Sequence, residues 1–159
     1  MVTPQAEESR DNSRMDLSTI DARKALVAKW ATKYGLDTAT VCAVCEQESS
    51  WNPFAMRYEP DFYDHYIRQM TGLTPTEAIA RATSYGLMQV LGEVAREFGF
   101  TGQFISQLCD PDTGIDVGCR KLQKCFATHG ADESGLLCYN GGGNPDYGRQ
   151  VLARVAAYQ

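Results

Sequence analysis

The sequence predicts an all-α fold formed by a single domain. Apolar residues recur every three or four positions through most of the chain, which is the spacing of one face of a helix. Glycine and proline stand at the ends of these stretches, as they commonly do where helices end and begin. Hardly any segment alternates polar and apolar residues, the pattern of a half-buried strand. A chain of 159 residues is long enough to bury a core within one domain.

The N-terminal residues differ in composition from the rest of the chain. Residues 1–16 are polar with almost no apolar side chains, so we expect a disordered tail followed by one folded domain over 17–159. The first helix is predicted to begin at Ser18 and to end at Gly35, a typical C-terminal cap. Its buried face is marked by apolar residues at four-residue spacing, which are Ala22, Leu26, Trp30 and Tyr34.

The second predicted helix carries a carboxylate on its apolar face. Asp37 is its expected N-cap, and Asn52-Pro53 is expected to break it. Glu48 continues the apolar stripe of Val41, Val44 and Cys45. Desolvation penalises the charged form of a carboxyl, so a half-buried glutamate keeps its proton to higher pH, as a general acid requires. Glu48 is therefore the candidate catalytic residue, and the alternative is a glutamate that turns out to solvent at the helix end.

The segment Phe54–Thr83 is the least regular and the richest in aromatic residues, which are Phe54, Tyr58, Phe62, Tyr63 and Tyr66. The spacing of Phe62 and Tyr66 predicts a short helix. The rings either pack together or form a platform for stacking on sugars. A capping box over residues 74–77 predicts another short helix that ends near Thr83.

The second half of the chain is predicted to form four further helices. They are one after Ser84–Val90 that ends at Gly99, one from Asp110-Pro111 to Gly130, one capped by Asp132 or Glu133 that ends in CYNGGG, and one that begins at Asn144-Pro145. On the longest helix, one face carries Ile115, Cys119, Leu122, Phe126 and His129.

The six cysteines are too few for a disulfide scaffold, because such chains contain more than about 8–10% cysteine. Cys42 and Cys45 form a CxxC inside a helical pattern, and only two histidines exist to complete a metal site, so no metal is expected. Cys109 and Cys119 flank a turn and are the candidate disulfide pair. Three cysteines are expected to behave as small buried apolar residues, which are Cys42, Cys125 and Cys138.

Charge and hydropathy exclude several kinds of partner. The net charge is −5, the pI is near 5.0, and no lysine- and arginine-rich run occurs, which argues against nucleic acid and anionic membranes. No apolar run has the length of a membrane span, so membrane insertion is not expected. The N-terminus lacks the charged and apolar regions of an export signal. We expect a monomer without cofactors.

Four short motifs occur in a fixed order along the chain. They are ESSWNP at 48–53, GLMQ at 86–89, CYN at 138–140, and Tyr147 with QVLARV shortly after it. Each motif alone recurs by chance, but four in this order over about 110 residues are a specific signal. Together they resemble the catalytic domain of soluble lytic transglycosylases, which are relatives of goose-type lysozymes.

This resemblance implies a lysozyme-like helical domain with a cleft that binds peptidoglycan glycan strands, and it covers residues 17–159. Glu48 matches the catalytic acid/base of the family. Six positions match residues expected to bind substrate, which are Ser49, Met88, Gln89, Tyr139, Asn140 and Tyr147. The hydroxyl of Tyr139 is expected to reach toward the catalytic carboxyl, with Tyr147 on the opposite side of the cleft. Cys138 replaces the usual alanine, and the Glu-Thr pair that commonly precedes the late tyrosine is missing.

The implied reaction cleaves the β-1,4 bond between N-acetylmuramic acid and N-acetylglucosamine with one carboxyl group and gives 1,6-anhydromuramoyl products. One alternative is a goose-type lysozyme or chitinase-like hydrolase on the same fold, with Glu59, Asp61 or Asp64 as a second carboxylate. Another is a wall-binding module without catalysis. Each would act in the bacterial cell wall or periplasm. Without an export signal, phage-type release or trimming from a longer chain is expected.

Overall fold

The structure, a computed structural model, describes residues 16–159. The tail predicted over 1–16 lies, apart from Asp16, outside the described residues. The described part contains helices α1 Ile20–Tyr34, α2 Thr38–Ser49, α3 Pro60–Phe62, α4 Pro75–Arg81, α5 Gly92–Glu97, α6 Pro111–His129, α7 Glu133–Asn140 and α8 Tyr147–Val155. Its strands are β1 Met56–Tyr58, β2 Thr83–Tyr85 and β3 Val90–Leu91. A π-helical turn covers Tyr63–Ile67, and 3-10 turns cover Ile105–Cys109 and Ala156–Tyr158. The all-α fold class is confirmed.

The predicted capping residues determine where most helices begin. Four side chains accept a hydrogen bond from a backbone N–H in the first turn, which are Asp37, Thr74, Asp110 and Asp132. Gly35 ends α1 in the left-handed conformation with φ 65°. The last helix begins later than predicted. Asn144 Oδ1 accepts a hydrogen bond from the backbone N–H of Asp146, which forms a turn, and α8 starts after this turn at Tyr147.

Helices α2 and α6 form the centre of the core. Val41, Val44 and Cys45 of α2 are fully buried, as the apolar stripe predicts. Helix α2 packs against α1 and α8, and α6 packs against α1 and α7. Gly118 lets α6 approach the GLMQ turn, because a Cβ at this position would lie 2.5 Å from Met88 Sδ. None of the helices over residues 16–159 is long and apolar enough to cross a membrane.

A small antiparallel sheet, which the sequence did not predict, precedes helix α5. Residues 84–90, expected to lead directly into a helix, instead form a hairpin in which β2 pairs with β3 and, on its other side, with β1. The strands contain two or three residues each, too few for alternation to be visible in the sequence. Gly86 has φ 74°, and a Cβ there would lie 2.4 Å from the carbonyl oxygen of Leu108. The turn therefore requires glycine at this position.

The irregular segment folds beside the sheet. The predicted short helix is α3, which continues into the π-helical turn, and the rings of Phe62 and Tyr66 lie 4.8 Å apart. Ile67 is buried at the end of this turn. Helix α4 is joined to α5 by an ion pair in which Arg96 Nε lies 2.9 Å from Glu77 Oε1. The segment is thus joined to the domain through Ile67 and α4, while Phe54, Tyr58 and Tyr66 are exposed.

The disulfide prediction is wrong. Cys125 of α6 and Cys138 of α7, expected to be free buried residues, form the disulfide, with their Cα atoms 5.7 Å apart. Cys109 and Cys119, the predicted pair, are free. The reason is that α6 carries Cys119 onto its buried face, whereas Cys109 is half-exposed in the turn that precedes this helix.

Thiol counting tests this assignment. The denatured, unreduced protein should titrate four free thiols and the reduced protein six, because one disulfide is present. Replacing Cys125 and Cys138 together by alanine should lower the free energy of unfolding by about 3 kcal/mol, since the bond closes a loop of this size. Chemical denaturation measures this loss, and Cys109→Ala is the control with little effect. Peptide mapping that finds a Cys109–Cys119 bond would contradict the structure.

Candidate active site

Glu48 lies in the last turn of α2 and is half-buried, as the sequence predicts. The helix ends before the predicted break at Asn52-Pro53. Ser50 and Trp51 both adopt left-handed conformations, with φ 49° and 64°, and turn the chain away directly after the helix. Because α2 stops here, the carboxyl group lies at the edge of the core with part of its surface open to solvent.

The hydroxyl of Tyr147 holds the Glu48 carboxyl. It donates a hydrogen bond to Glu48 Oε1 with a distance of 2.6 Å. Tyr147 is the first residue of α8, which packs against α2, and only 2% of the residue is exposed. Burial and the charge of Glu48 raise the pKa of Tyr147 far above its ordinary value, so the phenol remains a donor at physiological pH.

Tyr139 does not have the role expected for it. Its hydroxyl donates to the carbonyl oxygen of Met88 at 2.7 Å and not to Glu48. Helix α7 buries Tyr139 beneath the GLMQ turn, whereas α8 begins beside the end of α2 and brings Tyr147 to the carboxyl. Tyr147, and not Tyr139, is therefore the tyrosine whose hydroxyl binds the Glu48 carboxyl. Tyr139 fixes the turn, and Tyr147 fixes Glu48.

Burial controls the proton affinity of Glu48. Desolvation raises the pKa of Glu48, while the hydrogen bond from Tyr147 and the positive charges of Lys121 and Arg57 partly counteract this rise. The negative charge of Glu59 raises the pKa further. The net direction is upward, so a larger fraction of Glu48 carries a proton near neutral pH than in an exposed glutamate.

Sequence reasoning did not identify Lys121 as part of the site. This half-buried residue of α6 places Nζ 4.4 Å from the centroid of the Tyr139 ring. It falls four positions after the buried Val117, at the edge of the core-facing side of the helix. A lysine at such an edge usually extends its stem and leaves its ammonium in water, so position alone does not reveal a role.

Only one of the three candidate second carboxylates shows a connection to Glu48. Glu59 follows β1, affects the pKa of Glu48, and forms an ion pair with Arg57 of 2.6 Å. Asp64 pairs with Arg68 on the exposed surface of the π-helical turn. Asp61 is exposed on α3. Of the three, Glu59 is the carboxylate whose charge raises the pKa of Glu48.

Three polar motif residues connect separate segments around Glu48. Ser49 Oγ lies 2.9 Å from the carbonyl oxygen of Leu87 and joins α2 to the GLMQ turn. Gln89 Nε2 donates to the carbonyl oxygen of Ala55 at 2.9 Å and joins that turn to the residue before β1. Asn140 Oδ1 accepts a backbone N–H from the loop that leads to α8. All three residues are half-buried and lie among the other motif residues.

Met88 does not line a sugar subsite with its side chain. The side chain is fully buried and packs against Gly118 of α6. Only its carbonyl oxygen takes part in the network, as the acceptor for Tyr139. The expected substrate contact of Met88 is therefore corrected to a packing role.

Three further features bear on what could bind. Over residues 16–159, no group of three or more His, Cys, Asp or Glu side chains is arranged to hold a metal ion. Burial raises the pKa of the Cys42 thiol to about 11, so it remains protonated. A cavity of about 540 Å³ lies on the Met56 and Tyr85 face of the sheet and does not include Glu48. The glycan-binding cleft beside Glu48 stays a prediction.

The chain belongs to the Transglycosylase SLT domain family, which matches residues 25–154. Its structure is similar to the 70-kDa soluble lytic transglycosylase in complex with bulgecin A, with a TM-score of 0.51 and 23% identity over 90% of this chain. The chain corresponds to 19% of that protein's length. A search of curated proteins finds no match. The resemblance and the fold are confirmed.

The two tyrosines can be separated by phenylalanine substitutions. Tyr147→Phe should lower kcat on peptidoglycan by up to about 100-fold, because the carboxyl loses its orientation. The same change should raise the pKa of Glu48, because the lost hydrogen bond favours the ionised form. Tyr139→Phe should instead cost about 1–3 kcal/mol of stability, because the Met88 carbonyl loses its buried donor. Both variants are checked by measuring turnover and chemical denaturation. If Tyr139→Phe lowered kcat and Tyr147→Phe lowered only stability, Tyr139 would be the tyrosine that orients Glu48.

Proposed function

We propose that the protein is a peptidoglycan lytic transglycosylase that cleaves the β-1,4 bond between N-acetylmuramic acid and N-acetylglucosamine. Glu48 is the single acid/base residue. The observation that carries the proposal is the half-buried Glu48 carboxyl held by Tyr147 at 2.6 Å, in a chain of the Transglycosylase SLT domain family. A proton held on a fixed, partly desolvated carboxyl near neutral pH is the central requirement of this chemistry.

In the first step Glu48 acts as the acid. Tyr147 donates to Oε1, so the proton of the neutral carboxyl is carried by Oε2 and can be given to the glycosidic oxygen. The bond between C1 of the muramic acid and this oxygen then breaks, and its electron pair stays on the oxygen. A carboxylate remains beside the oxocarbenium-like sugar. The hydrogen bond from Tyr147 stabilises this carboxylate.

In the second step Glu48 acts as the base. The 6-hydroxyl oxygen of the same muramic acid bonds to C1, and its proton passes to the carboxylate. This closes the 1,6-anhydro ring, restores the neutral acid and consumes no water. One carboxyl can perform both steps because its pKa is raised toward neutral, where giving and accepting a proton are both accessible.

The remaining motif residues have supporting roles in this proposal. Gln89 Nε2 donates to the backbone carbonyl of Ala55, so Oε1 of the same side chain is available to accept a hydrogen bond from a sugar. Asn140 Oδ1 accepts a hydrogen bond from the backbone N–H of Asn144, so its Nδ2 is available as a donor. Ser49 and Tyr139 hold the GLMQ turn through backbone carbonyls. The substrate would therefore meet Glu48, Gln89 and Asn140 directly.

The proposed setting is the peptidoglycan of the bacterial cell wall or periplasm, where the protein acts as a monomer. The net charge of −5 gives no attraction to nucleic acid or to anionic lipid surfaces. The proposed reaction needs no metal or cofactor, since acid, base and nucleophile come from Glu48 and the substrate.

A hydrolase with Glu59 as a second carboxylate is the alternative. The observation in its favour is that the negative charge of Glu59 raises the pKa of Glu48. An inverting hydrolase needs its base about 6.5–9.5 Å from the acid, with a water between them. Against this role, Arg57 Nε lies 2.6 Å from Glu59 Oε1, which favours a structural ion pair. A module without catalysis would not need the Glu48–Tyr147 hydrogen bond.

The acid role is tested with Glu48→Gln. The amide is nearly isosteric and still accepts the hydrogen bond from Tyr147, but it cannot deliver a proton. Lysis of purified peptidoglycan should fall by at least about 10²–10⁴-fold, with an unchanged melting temperature. Glu46→Gln is the matched control, because Glu46 lies on the same helix and contacts Tyr158 instead. Activity within tenfold of the parent in a folded Glu48→Gln protein would remove Glu48 from the role.

Product analysis separates transglycosylase from hydrolase. Digests made in ¹⁸O-labelled water should contain anhydro ends, lighter by one water than lysozyme products, without label at C1. Glu59→Gln should retain substantial activity, as should Asp61→Asn, the exposed control. Labelled reducing ends together with an inactive Glu59→Gln variant would establish the hydrolase and exclude the proposed reaction.

A further inference from the structure

The start of helix α8 decides whether the Tyr147 hydroxyl reaches Glu48 Oε1, because Tyr147 is the first residue of this helix. A helix start is commonly held by a capping side chain that accepts a backbone hydrogen bond. Asp146, the N-cap of α8, makes no such hydrogen bond with its side chain. The position of the helix start therefore depends on other contacts.

The side-chain oxygen of Gln150 joins three segments at this place. Oε1 accepts a hydrogen bond of 3.0 Å from Asn144 Nδ2, in the loop before α8. It also accepts a hydrogen bond of 3.1 Å from Gln47 Nε2, in the last turn of α2. Asn144 Oδ1 in turn accepts the backbone N–H of Asp146 at 3.0 Å. One half-buried amide group thus connects the loop, the first turn of α8 and the end of α2.

The contact between Gln47 and Gln150 lies beside the contact between Glu48 and Tyr147. Gln47 directly precedes Glu48 on α2, and Gln150 follows Tyr147 by about one helical turn on α8. The next residue of α8, Val151, is fully buried and lies one turn after Tyr147 on the same face. A displacement of α8 that lengthened one of the two hydrogen bonds would therefore affect the other.

Gln47 has no alternative partner in the part of the chain that the structure describes. Its Nε2 donates to Gln150, and its Oε1 is buried without a hydrogen-bond partner. Loss of the Gln150 acceptor would leave the Gln47 amide and Asn144 Nδ2 unpaired. Unpaired polar groups away from water are costly, so these groups would turn toward solvent. Such a rearrangement would shift the end of α2 relative to α8, where Glu48 and Tyr147 meet.

We propose that Gln150 is a positioning residue for the acid/base chemistry, which holds α8 against α2 so that the Tyr147 hydroxyl stays on the Glu48 carboxyl. This inference rests on the proposed function of Glu48. Gln150 acts through Tyr147 and not through the substrate. A purely structural role would lower stability but leave the turnover of the folded protein unchanged.

The experiment compares Gln150→Met with Gln47→Met, which removes the same hydrogen bond from the side of α2. Methionine has a similar length but no amide group. Gln123→Met is the matched control, because Gln123 of α6 donates to the carbonyl oxygen of Tyr34 and joins a different pair of helices. Circular dichroism gives the folded fraction, and kcat on purified peptidoglycan is expressed per folded protein. Each variant is also combined with Tyr147→Phe.

Gln150→Met and Gln47→Met should each lower kcat by about three- to tenfold, less than the roughly 100-fold cost of a 1 Å misplacement, because the Tyr147 hydroxyl is displaced and not removed. KM should not change, and Gln123→Met should equal the parent. In the Tyr147→Phe background neither variant should lower kcat further, since residues that act through one contact are not additive.

Carbon NMR supplies a second measurement that does not depend on turnover. The Cζ signal of labelled Tyr147, assigned with Tyr147→Phe, responds to the hydrogen bond made by the attached hydroxyl. In Gln150→Met and Gln47→Met this signal should move toward that of a tyrosine exposed to water. In Gln123→Met it should stay in place.

An unchanged kcat per folded protein in Gln150→Met, or an unchanged Cζ signal of Tyr147, would overturn the proposal and leave a purely structural role. A further loss of kcat in the Tyr147→Phe background would also overturn it, because Gln150 would then act on another group. A higher KM with an unchanged kcat would make Gln150 a substrate contact instead. Full activity of Glu48→Gln would overturn the proposed function separately, because the Tyr147 signal reports the position of α8 without turnover.

Discussion

The partly buried carboxyl of Glu48 is the constraint on which the rest of the site depends. An ionisable group at the edge of a core is costly unless its surroundings provide hydrogen bonds and compensating charge. Here Tyr147 at the start of α8 donates the hydrogen bond, and Lys121 of α6 and Arg57 of β1 supply positive charge. The packing of α2, α6 and α8 thereby influences the proton affinity of the Glu48 carboxyl.

The four sequence motifs are joined mainly through backbone atoms. Ser49 binds the carbonyl of Leu87, Tyr139 binds that of Met88, and Gln89 binds that of Ala55. Side chains that bond to backbone carbonyls fix the path of a loop and place few demands on the neighbouring side chains. This explains why residues that resemble substrate contacts in a motif have structural partners in the folded chain.

Local signals in the sequence were sufficient to predict most of the helices and the position of Glu48 at the end of α2. Helix caps such as Asp37 and Asp110 depend on only a few neighbouring residues, and so does the apolar stripe that ends in Glu48. Both can therefore be recognised in the sequence. The disulfide, the hairpin and the tyrosine partners depend on which elements meet in space. Tyr139 and Tyr147 are both plausible partners for a carboxyl, and only the position of α8 against α2 decides between them.

The disulfide between α6 and α7 has a further consequence. Cys138 directly precedes Tyr139, and Cys125 lies one helical turn beyond Lys121, so the cross-link fastens α6 to α7 beside these two residues. In a reducing compartment, Cys125 and Cys138 would remain free thiols. In that state α7 would be held against α6 by noncovalent packing alone. The attachment of α7 to α6 is in this way coupled to the redox conditions in which the chain folds.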